Sequence, residues 1–196
     1  LKEPVELLLR HYQDVVIQVA QKLNKKVMPV QFFGADTRVY LENYKDLFST
    51  FVHIFRNAVD HGLEPSEERE MMGKDPAGKI QVTAAAFHDA NGRWLRIKVQ
   101  DDGGGIDPGR IRSKLSGKYP DDRLAQMTDG DIIQHIFDSG LSTKDQIGEF
   151  SGRGIGLNAV LVEAQKLGGR AWVESQVGQG TTFIIEVPDL SRVVSL

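Results

Sequence analysis

Glycine constrains this chain more than any other residue type. Its 20 glycines, roughly one residue in ten against an ordinary ~7%, are clustered rather than spread. The clusters are Gly103-Gly104-Gly105, the alternating Gly152, Gly154 and Gly156, the pair Gly168-Gly169, and Gly178 with Gly180. Glycine takes left-handed backbone angles freely and lets another group approach the main chain closely. Each string therefore marks a sharp turn or a close contact.

The segments between the strings outline the fold. Leu8, Val15, Val19 and Leu23 recur at helical spacing, so residues 1–25 are expected to form a leading helix. Val27 to Phe33, interrupted by Pro29, reads as an edge strand, and Val39 to Leu41 as a short second one. The helical period returns from Asn43 to His61 and stops at Gly62, as helices do just before a glycine. Lys79 to Phe87 and Trp94 to Gln100 read as a hairpin with an Asn91-Gly92 turn signal. Beyond it a helix is expected near 108–117, then a polar stretch to about 130. A short helix over Asp131 to Asp138, a long loop from Ser139 to Gly156 and a helix over Leu157 to Leu167 follow. Ala171 to Gln176 and Thr181 to Val187 complete the set as strands. The elements alternate without a regular strand–helix–strand beat. A mixed sheet packed on helices is expected, rather than a doubly wound parallel one.

Composition narrows the function. The 196 residues suit one domain over 1–196, with 189–196 as a tail. The chain opens on Leu1, not Met, and so reads as a piece of something longer. Its 24 basic and 27 acidic residues give a net charge of −3, and no Lys/Arg run exceeds two, so no nucleic-acid partner is expected. Without cysteine there is no disulfide, thiol nucleophile or Cys-ligated metal centre. No apolar run approaches the ~20 residues of a membrane helix, so no membrane insertion is expected.

Four constellations carry chemistry. On the helix 43–61, Leu47, Phe51, Ile54, Phe55 and Ala58 share one side. Ser49, Thr50, His53, Asn57, Asp60 and His61 share the other, where Lys and Glu would be ordinary. Imidazoles, an amide and a carboxylate side by side could hold a metal ion and phosphate oxygens; an amide oxygen and water are hard ligands that suit Mg²⁺, which keeps several waters and binds along with phosphates. The second constellation is a strand running into Asp101-Asp102-Gly103-Gly104-Gly105-Ile106, where a carboxylate at a strand end can accept from an exocyclic amine. It is not the dinucleotide fingerprint, because Pro108 stands at the sixth position. The third, Ser151-Gly152-Arg153-Gly154-Ile155-Gly156-Leu157, opens a helix, and its successive amides form an anion site. Ser142, Thr143 and Lys144 add hydroxyls and a cation. The fourth, Gly178-Gln179-Gly180-Thr181-Thr182, turns a hairpin and offers the Thr181 hydroxyl to Asp101.

In this order the four resemble the boxes of the ATP-binding catalytic domain of bacterial histidine kinases, in the superfamily shared with gyrase, the Hsp90 chaperones and MutL. The likeness is carried by His53 to Glu64, Pro65 to Arg69, Gly73-Lys74, Asp101 to Asp107, Ile136-Phe137, Gly140 to Thr143 and Ser151 to Gly156. It covers nearly all of residues 10–188, and the insert between Ile111 and Phe137 is of the CheA-like chemotaxis type. The resemblance implies a Bergerat-type α/β (α+β) fold: a two-layer sandwich of about five mixed strands on about three helices. It implies Mg-ATP as cofactor, with Asn57 on the metal, His53 and His61 as catalytic residues facing the phosphates, and Asp60 beside them. Asp101 would take the adenine amine, over Gly103 and Gly105, with Thr181 behind it. Ile106, Phe137, Ile155 and Leu157 join the nucleotide site. Residues 139–151 would be a lid over the phosphates. Lys144 or Arg153 would neutralise charge, and the amides of Gly152, Gly154 and Gly156, after Ser151, would bind phosphate. The departure is Gly156-Leu157-Asn158, where the family usually has Gly-Met-Asp.

The implied activity is transfer of the γ-phosphoryl group to a histidine of a separate phosphotransfer domain, in the same or another chain, with a response regulator downstream in the cytoplasm. None of His11, His53, His61, His88 and His135 stands in the acceptor pattern of that family. Two alternatives remain: an ATP-driven clamp of the gyrase or MutL type, and a nucleotide-binding regulatory module without catalysis. The clamps typically carry Glu where His53 stands.

Overall fold

The computed structural model describes residues 1–34, 36–141 and 156–190. β1 (Lys2–Pro4) leads into α1 (Val5–Leu9) and α2 (Tyr12–Lys22), followed by β2 (Lys26–Val27), β3 (Gln31–Phe33) and β4 (Arg38–Tyr40). A 3-10 turn, Leu41–Asn43, precedes α3 (Lys45–Ser49) and α4 (Phe51–Asn57), and α4 runs on into a π-helical turn, Ala58–Gly62. Then come α5 (Ser66–Met71), β5 (Ala77–Gly78), β6 (Ile80–Asp89) and β7 (Gly92–Asp101). The insert holds α6 (Pro108–Leu115), α7 (Asp121–Gln126) and α8 (Asp129–Ile133), closed by a 3-10 turn, Gln134–Phe137. α9 (Leu157–Lys166), β8 (Arg170–Gln176) and β9 (Gly180–Pro188) complete the described chain.

Five strands form the main sheet in the order β3-β6-β7-β9-β8. β3 is parallel to β6 and every other pair is antiparallel, so the sheet is mixed, as expected. Period-2 alternation aims Leu95, Ile97 and Val99 of β7 and Phe183, Ile185 and Val187 of β9 at one face, where all are buried. α2, α3 with α4, and α9 share the core on that face, giving the two-layer α/β sandwich. Phe51, Ile54 and Phe55 of α4 are fully buried. Each contributes roughly 1.5–3 kcal/mol by leaving water, and Phe55→Ala would cost about 3–5 kcal/mol. On the opposite face Glu186 is wholly buried between Arg96 and Arg170.

Three expectations change. The leading helix is not continuous: Lys2–Pro4 pairs with Arg38–Tyr40, and the helix breaks between Leu9 and Tyr12. Its buried face is Val5, Leu9, Tyr12, Val16 and Ala20, whereas Leu8, Val15 and Val19 flank it and Leu23 is exposed. Tyr12 fixes that rotation by donating its hydroxyl to the Phe48 carbonyl at 2.7 Å. The helix 43–61 is likewise divided. Thr50, expected on the polar face, is buried and returns its hydroxyl to the Leu47 carbonyl at 2.6 Å, a back-bond that loosens a helix. Finally, the polar stretch to residue 130 contains α7. Leu124 there joins Ile111, Leu115, Ile132 and Leu141 in a small second core, so the insert packs on itself.

Candidate functional site

Asp101 continues the inward series Leu95, Ile97, Val99, so strand parity carries a carboxylate into the core, where it is 3% exposed. Burial pushes its pKa from 3.8 up to about 7. The amides of Gly103, 2.9 Å from Oδ1, and Thr181 oppose that rise, and the charges of Asp102 and Glu64 add to it. Thr181 is the register partner of Asp101 on β9 and is also buried. Its hydroxyl lies 3.0 Å from Ser175 Oγ. The support expected from the Thr181 hydroxyl thus comes from its main chain. Ser175 Oγ also donates to the Gly180 carbonyl and accepts from the Ile106 amide at 2.8 Å, tying three segments together.

The glycines of this loop answer to protein neighbours. The Gly62 carbonyl accepts from the Gly104 amide at 2.9 Å. A β-carbon on Gly103 would collide with that carbonyl. Gly105 sits at φ +75, where a β-carbon would strike the Gln176 carbonyl at the end of β8. The Gly178 amide, in the β8–β9 turn, donates to the Gly104 carbonyl at 2.7 Å. The Asp-Gly loop is therefore clasped between the end of the Asn57 helix and the last hairpin.

His53 and Asn57 lie half-buried on α4, and Asp60 and His61 stand exposed in the π turn, His61 Nε2 3.7 Å from Asp60 Oδ2. Burial, and then the Arg56 charge, lowers the His53 pKa, so the ring is neutral at pH 7. The π turn is closed by the Leu63 amide on the Ala58 carbonyl at 2.7 Å. Such turns recur at functional sites, because one extra residue per turn re-aims the side chains. Four residues therefore come together on one helical run, and Gly62 joins that run to the Asp101 loop.

The other expected residues divide. Ile106 is half-buried between the two cores. Phe137 is 4% exposed, with its ring edge-on to Phe183 at 6.0 Å. Gly156 caps α9, and Leu157 opens it against the main core, where α9 packs on α4. Ser142, Thr143, Lys144, Ser151, Gly152, Arg153, Gly154 and Ile155, and with them most of the expected lid, lie outside the described residues.

Sequence reasoning gave no role to Ser175, nor to a set of cations around the Asp-Gly loop and the π turn. Arg69, wholly buried, holds Glu64 at 3.0 Å and Asp102 Oδ2 at 2.9 Å. Lys74 holds Glu64 at 2.6 Å and the carbonyls of Asp102 and Gly103. Lys25 donates to the carbonyls of Val59 and Asp60. Register about the Gly178 turn could have found Ser175 opposite Thr181, but contacts 28 to 35 residues apart leave no local signal.

A two-layer sandwich with a buried strand-end Asp, beside a helix that presents Asn57 and two histidines, is of the GHKL ATP-binding class. The chain belongs to the histidine kinase-, DNA gyrase B-, and HSP90-like ATPase family, whose profile matches residues 42–191. The chemotaxis protein CheA of Listeria monocytogenes is 38% identical over 187 residues, covering 94% of this chain and 29% of that protein. CheA of Bacillus subtilis is 34% identical over 195 residues, covering 98% and 28%. The chain thus spans less than a third of these curated relatives. A solved histidine kinase domain of a blue-light activated kinase from Erythrobacter litoralis aligns at 17% identity with a TM-score of 0.49, over 93% of this chain and 65% of that one. Among the described residues, no helix is long and apolar enough to cross a membrane.

Proposed function

We propose that this chain binds Mg-ATP and transfers the γ-phosphoryl group to a histidine of a separate phosphotransfer domain, in cytoplasmic two-component signalling of the chemotaxis type. A response regulator would take the group next. The observation that carries the reading is the junction of Gly62 with Gly104, which joins the Asn57 helix to the loop of the buried Asp101.

Asp101 accepts the adenine amine in this reading, and Thr181, Gly103, Gly105 and Ile106 shape its surroundings. The residues present fit a magnesium ion. Among the described residues no three His, Cys, Asp or Glu side chains could hold a metal alone. Magnesium takes one or two protein oxygens together with the substrate's phosphates, and the Asn57 amide oxygen is a donor of that kind. Asn57 would hold it, with Asp60 nearby. The ion supplies charge neutralisation at the phosphates. Phosphoryl transfer depends on positioning and charge more than on covalent help. A neutral His53 can take a hydrogen bond or a proton at its free ring nitrogen. His61 and Asp60 would border the phosphates, and the Ser142 to Lys144 and Ser151 to Gly156 segments would add amides, hydroxyls and a cation.

The test is incubation with γ-labelled Mg-ATP and a histidine phosphotransfer domain from a CheA relative. Label on that domain, dependent on this chain, is the expected result. Release of free phosphate without label would favour the clamp, and binding with neither would favour the regulatory module.

A further inference from the structure

Lys25 and Lys74 have no part in the reading above, yet they do the same thing at its two ends. Each lays its ammonium on two consecutive main-chain carbonyls. Lys25, just after α2, donates to Val59 at 2.8 Å and Asp60 at 2.7 Å, inside the π turn. Lys74, just after α5, donates to Asp102 at 3.0 Å and Gly103 at 2.9 Å, inside the Asp-Gly loop, and holds Glu64 as well.

Both places need a donor. The last carbonyls of a helix have no partner within it and carry the negative end of its dipole, so a cation there is favoured. The Asp-Gly loop leaves β7, so its carbonyls leave the ladder too. Gly103 also donates its amide to Asp101, so the Gly103 carbonyl that Lys74 holds belongs to the residue that steadies the carboxylate. The bond from Gly104 to the Gly62 carbonyl meets both clamped segments, one on each side of the seam. Lys25 is pulled below the usual lysine pKa by burial, which fits a cation held by carbonyls instead of water.

We propose that Lys25 and Lys74 are positioning residues that hold the two halves of the nucleotide site separately, Lys25 the metal and phosphate end and Lys74 the base end. This rests on the Mg-ATP reading. Lys25 acts through the turn that follows Asn57 and carries Asp60 and His61. Lys74 acts through the main chain that orients the Asp101 carboxylate. Neither ammonium needs to touch the nucleotide.

The experiment is calorimetric titration of this chain, as wild type, Lys25→Met and Lys74→Met, with Mg-ATP, adenosine and Mg-GTP. Methionine keeps the stem and removes the donor. Lys25→Met should weaken Mg-ATP roughly tenfold, the scale of a lost outer-shell partner, and leave adenosine within about twofold. Lys74→Met should weaken adenosine and cut the preference for Mg-ATP over Mg-GTP roughly tenfold, the scale of a lost charged hydrogen bond. Arginine at either position should recover part of the loss. Equal weakening of all three ligands by both variants, or no change in any, would overturn the division of labour. Should a methionine variant lack a cooperative melt, Lys25→Gln or Lys74→Gln, which keeps a neutral amide donor in place of the ammonium, carries the same comparison. A wild-type chain that binds neither Mg-ATP nor adenosine would overturn the ATP reading itself, and that is seen before any variant is made.

Discussion

Asp101→Asn separates what this residue does for the fold from what it does for a ligand. The rise in pKa from 3.8 to about 7 corresponds to about 4 kcal/mol between the charged and neutral forms. The folded chain holds the proton more tightly than the unfolded one. The stability linked to Asp101 is therefore fully present below pH 3.8 and is lost as pH rises through about 7. About 3 kcal/mol of that loss falls between pH 5 and pH 8. Asparagine carries no charge and feels none of it. It does offer one acceptor oxygen where two amides donate, and a misplaced donor there costs about 1–3 kcal/mol at every pH. The offset is constant and the slope is not. Urea unfolding at pH 5, 6, 7 and 8 should show the variant gaining on the wild type by about 3 kcal/mol across the series. Competition titration should show it losing preference for ATP over GTP, since a site built around a specific acceptor loses discrimination when the acceptor changes. A stability difference that stays flat from pH 5 to pH 8 would refute the argument from burial. Unchanged selectivity would refute the adenine role.

Asn57→Asp should cut phosphotransfer roughly 100-fold with an unchanged melting temperature, because the side chain is half-buried on the polar side of α4 and no core volume changes; a variant that keeps most of its activity removes Asn57 from the metal role. His53 has a lowered pKa, so the stability linked to it is present above pH 6.5 and lost as pH falls through its folded value. His53→Gln should flatten that part of the acid limb in urea unfolding, and an unaltered limb would count against the burial of the ring. Gly103→Ala should cost about 1–3 kcal/mol through the collision with Gly62. Among the described residues nothing lies within 4 Å of a β-carbon on Gly156, so Gly156→Ala should stay within about 0.5 kcal/mol, and a loss of Mg-ATP affinity there, read by calorimetry, would point to the ligand.

The sheet was legible because its signals are local. Alternation in Trp94 to Gln100 and Thr181 to Val187, with glycine turns beside them, sets β7 and β9 to within a residue or two of their observed ends. The mixed order follows from hairpins flanked by helices. The break at Thr50 and the π turn at Ala58 were not legible. Both depend on where a hydroxyl or a carbonyl finds its partner, and apolar spacing is blind to that. His53, Asn57, Asp60 and His61 were found because their face lacks the usual Lys and Glu. The clamps of Lys25 and Lys74 stayed hidden, because a lysine on two distant carbonyls looks in sequence like any surface lysine.

The polar end of the sheet is best understood as the last row of its core. Val99, Phe183 and Val173 lie side by side on β7, β9 and β8, all buried. One pleat further on, the same three strands place Asp101, Thr181 and Ser175 in register. The parity that packs the first row forces the second to face inward as well, so Asp101 and Thr181 are buried and Ser175 half-buried, and their polar groups must satisfy one another. That accounts for the dense bonding among Ser175, Thr181, Gly103 and Ile106. It also gives a physical role to Phe137. Its ring packs edge-on against Phe183 and closes the apolar row directly behind Thr181.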